Sequence, residues 1–324
     1  MRVIIHLGYP RTGTTFLQKN VFPLHKQINL LGPVNYQNND GVKITQNDLS
    51  RISMTNNEYD LDNKIVNKID KDVIQYFDEK KINIISTEAY TMFQNAHYNF
   101  RDLRYLEILL NQKYENVQFD FLIVLRNQYD LIKSLYYFNY HKISELLKIK
   151  NFKLIIDSLS DDKTDKYDLP LNRFLRNYDF YHLNNKLLNK FNKSNIKYLF
   201  YEDFMFDKKK FSNELSNFLE IEKNYTLNLF KTETINSRKT AFNKDYFINS
   251  KTYKFLKSKT YLFLKDAIPF KKFLKKIFIN YFVYSNTSHS SDEERIFQDK
   301  IKSYYRDSNL KFFNQVKINN KFDY

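Results

Sequence analysis

Of the four glycines in this 324-residue chain, two fall within eight residues, Gly8-Tyr9-Pro10-Arg11-Thr12-Gly13-Thr14-Thr15. The segment follows an apolar run at residues 3–7 and precedes a helix-like run at residues 14–22. A strand, a tight loop and a helix start aim backbone N–H groups and the positive end of a helix dipole at one point, which makes an anion site. Thr14 and Thr15 add hydroxyl donors, and Arg11 adds a charge-assisted fork. A phosphate is the natural occupant; the competing reading is an ordinary tight turn capped by threonine. The loop is not a Walker A sequence, because G-x-x-x-x-G-K-[ST] needs Lys where Thr14 stands.

Four apolar runs have strand length, at residues 3–7, 82–86, 119–125 and 196–201. They are near-continuous rather than alternating, as parallel strands buried on both faces are. Helix-like segments separate them, among them 103–114, 129–148 and 171–191. This alternation predicts an α/β fold, a doubly wound parallel sheet with helices on both faces. Residues 35–63 are polar and Asn-rich and read as a loop-rich insertion near a ligand face. With neither a repeat nor a clear linker, the chain reads as one domain, 1–324, with a basic helical C-terminal subdomain from about residue 241.

Composition removes several functions. The absence of cysteine excludes a disulfide framework, a thiolate metal site and a cysteine nucleophile. The six histidines are scattered without metal-ligand spacing. The net charge of +15 invites a nucleic-acid reading, but residues 251–283, with nine Lys and one acid, account for +8 of it. No nucleic-acid motif or aromatic platform sits there, so nucleic acid is not the expected partner. The abundance of Asn, Lys, Ile, Tyr and Phe also matches the codon bias of an AT-rich genome. No apolar run approaches the ~20 residues of a membrane span, and the N-terminus does not read as a signal peptide. A soluble, cytoplasmic protein is expected.

Two further segments carry chemistry. After the run 119–125 comes Arg126-Asn127-Gln128-Tyr129-Asp130, with Ser134 eight residues beyond Arg126. An Arg at the C-terminal end of a parallel strand sits where α/β sheets bind ligands. The fourth run ends Tyr201-Glu202-Asp203-Phe204, followed by a helical face of Leu215, Phe218 and Leu219.

Taken in order, these three signatures resemble sulfotransferases that use 3′-phosphoadenosine-5′-phosphosulfate (PAPS), most of all bacterial carbohydrate sulfotransferases. The likeness spans roughly residues 3–221. It implies a 5′-phosphosulfate loop formed by Arg11, Thr12, Gly13, Thr14 and Thr15, and a 3′-phosphate site at Arg126 and Ser134. Gln128 replaces the family's usual Pro in that second motif. Tyr201 takes the position of the tyrosine near adenine, and Phe16 that of the aromatic that stacks on it; a core role for Phe16 competes. Ser237 and Arg238 are similar to a later basic loop that closes over the 3′-phosphate.

The run 82–86 leads into Thr87-Glu88-Ala89-Tyr90. In the family this strand end carries the general base, which the resemblance assigns to Glu88. Burial at the edge of a sheet should raise the pKa of such a carboxylate and suit it to proton abstraction. His97 and His141 are the fallback bases. Near residue 270, Phe270, Phe273, Leu274, Ile277, Phe278 and Tyr281 form an apolar stripe flanked by Lys271, Lys272, Lys275 and Lys276. This is a basic amphipathic helix that either packs on the main domain or docks on an anionic membrane or glycan. The function implied is transfer of a sulfuryl group from PAPS, without a metal, to a hydroxyl or amine of a carbohydrate or glycolipid, as in bacterial surface-glycan assembly. A P-loop kinase and a non-catalytic membrane- or glycan-binding module stand as alternatives.

Overall fold

A computed structural model describes residues 1–32, 73–91, 100–138, 152–159, 170–231 and 291–320, with positions 143, 147, 148, 322 and 324. Strands β1 (Arg2–Gly8), β2 (Ile28–Gly32), β3 (Ile82–Thr87), β4 (Gln118–Leu125) and β5 (Ile196–Phe200) form one sheet. Their order is β2-β3-β1-β4-β5 and every pairing is parallel. The four expected strands are present. β2 is a fifth that the apolar runs did not announce.

The helices are α1 (Thr14–Phe16), α2 (Arg101–Lys113), α3 (Gln128–Phe138), α4 (Phe152–Ser158), α5 (Pro170–Arg176), α6 (Phe180–Lys190), α7 (Tyr201–Phe206), α8 (Lys208–Leu219), α9 (Lys223–Leu229) and α10 (Ser291–Val316). Successive side chains of a strand point to opposite faces, and in β4 every residue after Gln118 is buried. Its two faces meet different partners. Leu122 and Val124 join a cluster with Phe211, Leu215 and Leu219 of α8, whereas the Phe119 and Phe121 rings pack on Phe191, just after α6. Helical cover on both faces is the reason the strands read as continuous apolar runs.

Two expected helices differ from their sequence reading. The segment 171–191 is two helices, α5 and α6, because the Asp179 carboxylate accepts the His182 N–H at 3.0 Å and starts a new helix. The run 14–22 is α-helical only over α1 and continues as a π-turn, Leu17–Val21, in which the Phe22 N–H reaches the Leu17 carbonyl at 2.8 Å. Tyr201, read as the end of a strand, is the first residue of α7.

The chain divides into two compact units. One comprises Met1–Asn127, Arg173–Ile235 and Asp307–Tyr324 and holds the sheet; the other comprises Gln128–Asn172 and Asn236–Arg306. In the second unit, Phe152 of α4 packs on Tyr129 and Tyr136 of α3 and on Phe297 of α10. The polar stretch 35–63 and the basic segment 251–283 lie outside the described residues. Among the described residues no helix is long and apolar enough to cross a membrane.

Candidate active site

Strand register builds the site. β1 lies between β3 and β4, with Leu7 opposite Thr87 and Gly8 opposite Val124. The residue after Thr87 is Glu88 and the residue after Leu125 is Arg126, so both emerge beside the loop that starts at Gly8. This is the carboxyl edge of the sheet, where open parallel sheets place ligands.

The loop doubles back tightly. A Cβ on Gly8 would lie 2.2 Å from the Thr14 hydroxyl oxygen, so only glycine fits beneath the returning chain. Arg11 and Gly13 both adopt left-handed backbone, φ 73° and 83°. Such geometry is ordinary for Gly13 and disfavoured for Arg11. Internal bonds hold it: the Thr12 hydroxyl donates to the Tyr9 carbonyl at 2.6 Å, and the Arg126 guanidinium donates through Nη1 to the Arg11 carbonyl at 2.9 Å. Tyr9 is fully buried against Tyr178 and Phe180. Its hydroxyl donates to the Asn177 carbonyl at 3.3 Å, and the Asn177 side-chain amide donates to the Thr91 carbonyl. The break between α5 and α6 therefore braces the loop and the turn that carries Glu88.

Glu88 is largely buried, and burial pushes its carboxyl up to about 7. The Thr14 hydroxyl and the Arg11 charge act in the opposite direction and hold it from rising further. A carboxylate that titrates near neutrality beside a cation and a hydroxyl can accept a proton from a reacting group. His97 and His141 lie outside the described residues. His6 is unsuited to the role: it is completely buried and neutral, its pKa lowered to about 3 by desolvation.

Arg126 is buried, with the guanidinium carbon 4.8 Å from the centre of the Tyr201 ring. Its neighbour Asn127 donates its backbone N–H to the Glu202 carboxylate at 2.9 Å, and the Tyr324 hydroxyl donates to the other oxygen of that carboxylate. Arg126, Tyr201, Glu88 and the loop thus belong to one unit. Ser134 lies half-buried on α3, in the second unit. Phe16 is packed between Phe204 and Phe230, with ring centroids 5.2 and 5.3 Å away, and is 4% exposed; in this arrangement it serves as a core side chain. Thr15 is half-buried at the start of α1. Ser237 and Arg238 lie outside the described residues. Among the described residues no three His, Asp or Glu side chains gather as a metal site.

Several supporting residues carried no sequence signal. Ser86 Oγ accepts the Gln18 side-chain amide at 2.9 Å and shares a 2.7 Å bond with His6 Nδ1, a buried polar knot two residues before Glu88. Thr91 and Asn177 brace the loop through bonds that join distant parts of the chain. Only Asp179, an N-capping residue before an apolar helix face, could have been read in advance.

Residues 2–261 match a protein-family model described as a sulfotransferase domain. No curated protein matches the chain. Among solved structures, the chain is similar to the crystal structure of a sulfotransferase from Alicyclobacillus acidocaldarius, with a TM-score of 0.49 and 10% identity over 99% of this chain and 97% of the other. It is also similar to the sulfotransferase domain of the olefin synthase from Synechococcus PCC 7002, with a TM-score of 0.35 and 14% identity over 72% and 79% of the two chains.

Proposed function

The chain belongs to the sulfotransferase family, and on that premise we propose that it transfers the sulfuryl group of PAPS to a hydroxyl or amine of a carbohydrate acceptor, a surface glycan or glycolipid assembled by a bacterium, in the cytoplasm. The observation that carries this reading is the convergence on Glu88 of the Thr14 hydroxyl and the Arg11 charge, at the mouth of the glycine loop.

The residues fit the donor nucleotide. The space above Gly8 is closed by Thr14 rather than by a side chain of its own, and left-handed backbone at Arg11 and Gly13 bends the loop into a concave turn of the kind in which backbone N–H groups face an anion. In this reading the loop, Arg11, Thr12, Thr14 and Thr15 hold the 5′-phosphate end, Arg126 and Ser134 the 3′-phosphate, and Tyr201 borders the adenine. Ser237 and Arg238 complete the 3′ side. When bound, the donor supplies the sulfuryl group.

The chain's own residues do the remainder. Glu88 takes the acceptor proton as the acceptor oxygen or nitrogen bonds to sulfur; the bond from sulfur to the 5′-phosphate oxygen breaks, and its electron pair stays on that oxygen. Arg11, Thr14 and the loop N–H groups donate to the oxygen as its charge grows. Tyr9, sealed by Tyr178 and Phe180, keeps the loop floor dry, which strengthens each of those contacts.

Incubating the protein with PAPS and a panel of oligosaccharides, glycolipids and simple phenols tests the proposal. Release of adenosine 3′,5′-bisphosphate, matched by a mass gain of one sulfuryl group on an acceptor, is expected. Nucleotide release only with phenolic acceptors would overturn the carbohydrate assignment, and no release with any acceptor would overturn the activity.

A further inference from the structure

We infer that Tyr324 and Glu202 are positioning residues for 3′-phosphate recognition: the Tyr324 hydroxyl, through Glu202, fixes the turn that presents Arg126. The inference rests on the proposed role of Arg126.

The relay is short and built. Tyr324 is 4% exposed, and its ring lies 5.6 Å from Phe200, 5.9 Å from Phe180 and 6.0 Å from Phe313. Its backbone is clamped by Asn320, whose side chain accepts the Tyr324 N–H at 2.9 Å and donates to the Tyr324 main-chain oxygen at 3.2 Å. The hydroxyl reaches one oxygen of Glu202, and the other oxygen accepts the Asn127 N–H at 2.9 Å. Asn127 follows Arg126 directly, so the carboxylate sets the direction in which the chain leaves β4.

Glu202 has a second consequence. It is the first residue after Tyr201, whose ring carries the Arg126 guanidinium, and it lies within the electrostatic reach of that cation. A carboxylate near a phosphate-binding arginine competes with the phosphate unless it is held elsewhere. With one oxygen on a backbone N–H and the other on a phenol, Glu202 is held by neutral donors. Without the Tyr324 hydroxyl one oxygen loses its phenol donor, and the guanidinium is the strongest donor near it.

Calorimetry on the full chain, with adenosine 3′,5′-bisphosphate and with 5′-AMP, tests this. The wild type should bind the bisphosphate more tightly. Tyr324→Phe keeps the ring packing and removes the hydroxyl. It should lower the bisphosphate-to-AMP affinity ratio about three- to tenfold. Glu202→Gln removes the competing charge while leaving an acceptor for Asn127, and should hold or raise the ratio; in that background Tyr324→Phe should have no further effect. An unchanged ratio in Tyr324→Phe, or equal loss for both nucleotides, overturns the inference, as does a lowered ratio in Glu202→Gln. A wild type that does not distinguish the two nucleotides instead overturns the role of Arg126 itself.

Discussion

The Thr91 hydroxyl lies 2.6 Å from the Gly8 carbonyl oxygen and 3.0 Å from that of Glu88, so one side chain ties the first residue of the loop to the backbone of the residue opposite it. Thr91→Val should leave a buried carbonyl without its donor and destabilise the fold by about 1–3 kcal/mol. Thr91→Ser should recover most of that loss. Chemical denaturation of the three proteins decides; equal stability of the Val variant and the wild type would show that Gly8 needs no such anchor.

Glu88→Gln should separate activity from stability. Sulfuryl transfer should fall by about 10²–10⁴, the range for removal of a general base, and the wild-type rate should rise with pH through about 7. Stability should move the other way. The folded pKa lies above the ordinary value of 4.5, so between these values the native state holds a proton that the unfolded state has released. Stability therefore drops as pH rises through that window, by about 3 kcal/mol in all. Gln does not ionise, so the variant should melt higher than the wild type at pH 8 and lose that advantage below pH 4.5. A variant that melts lower at pH 8 would mark Glu88 as a structural anchor.

Gly8→Ala should abolish nucleotide binding, because the added methyl group would overlap Thr14 and open the loop. Gly13→Ala should be milder. Its φ of 83° costs an L-residue about 1 kcal/mol, and the new Cβ would sit 3.3 Å from the edge of Phe204. Titration with adenosine 3′,5′-bisphosphate should rank wild type over Gly13→Ala over Gly8→Ala; the reverse order of the two variants would refute the close-approach argument.

Excess EDTA should leave the transferase rate unchanged, since the proposed charge stabilisation uses Arg11, Thr14 and backbone N–H groups. A phosphoryl-transfer enzyme with a Mg²⁺ clamp would stop. ATP turnover abolished by EDTA would favour that chemistry.

The buried knot of His6, Ser86 and Gln18 should make the protein acid-sensitive. His6 titrates near 3 in the fold and near 6.5 when unfolded, so below about 6.5 the unfolded state takes up a proton that the native state does not. Stability should be lost at about 1.4 kcal/mol per pH unit from this group. His6→Gln should flatten the melting temperature against pH by removing about one proton from the uptake on unfolding. An unchanged slope would assign the acid sensitivity to the other histidines that burial holds low, His182, at about 4, and His25.

The parts of the site that could be read in the sequence are those fixed by local order. Gly8, Glu88 and Arg126 each sit at or just past a strand end, Gly13 caps the helix that follows the first of them, and four apolar runs placed those ends to within a residue or two. β2 escaped because its five residues include Asn29, whose side-chain amide is buried and satisfied by Asn83 and Tyr76, partners about fifty positions away. Periodicity cannot register a polar residue that becomes apolar in effect only after folding. The α5–α6 break was hidden by Tyr178, a buried aromatic that continues the apolar pattern across the gap. Thr91, Asn177, Glu202 and Tyr324 act through bonds between remote segments, and no spacing rule encodes those.

The π-turn after the loop has a consequence for how this chain tolerates change in length. A π-turn amounts to an α-helix with one residue too many. Deleting Lys19, which is exposed, should let residues 17–21 relax to ordinary α-helical pitch, a saving of local irregularity. The remainder of the helix would then turn by about 100° relative to the loop, and Phe22 would leave its place against His6. The surplus residue thus acts as a spacer that sets the rotation between the anion loop and its floor, so a shortened chain would be locally more regular and globally out of phase.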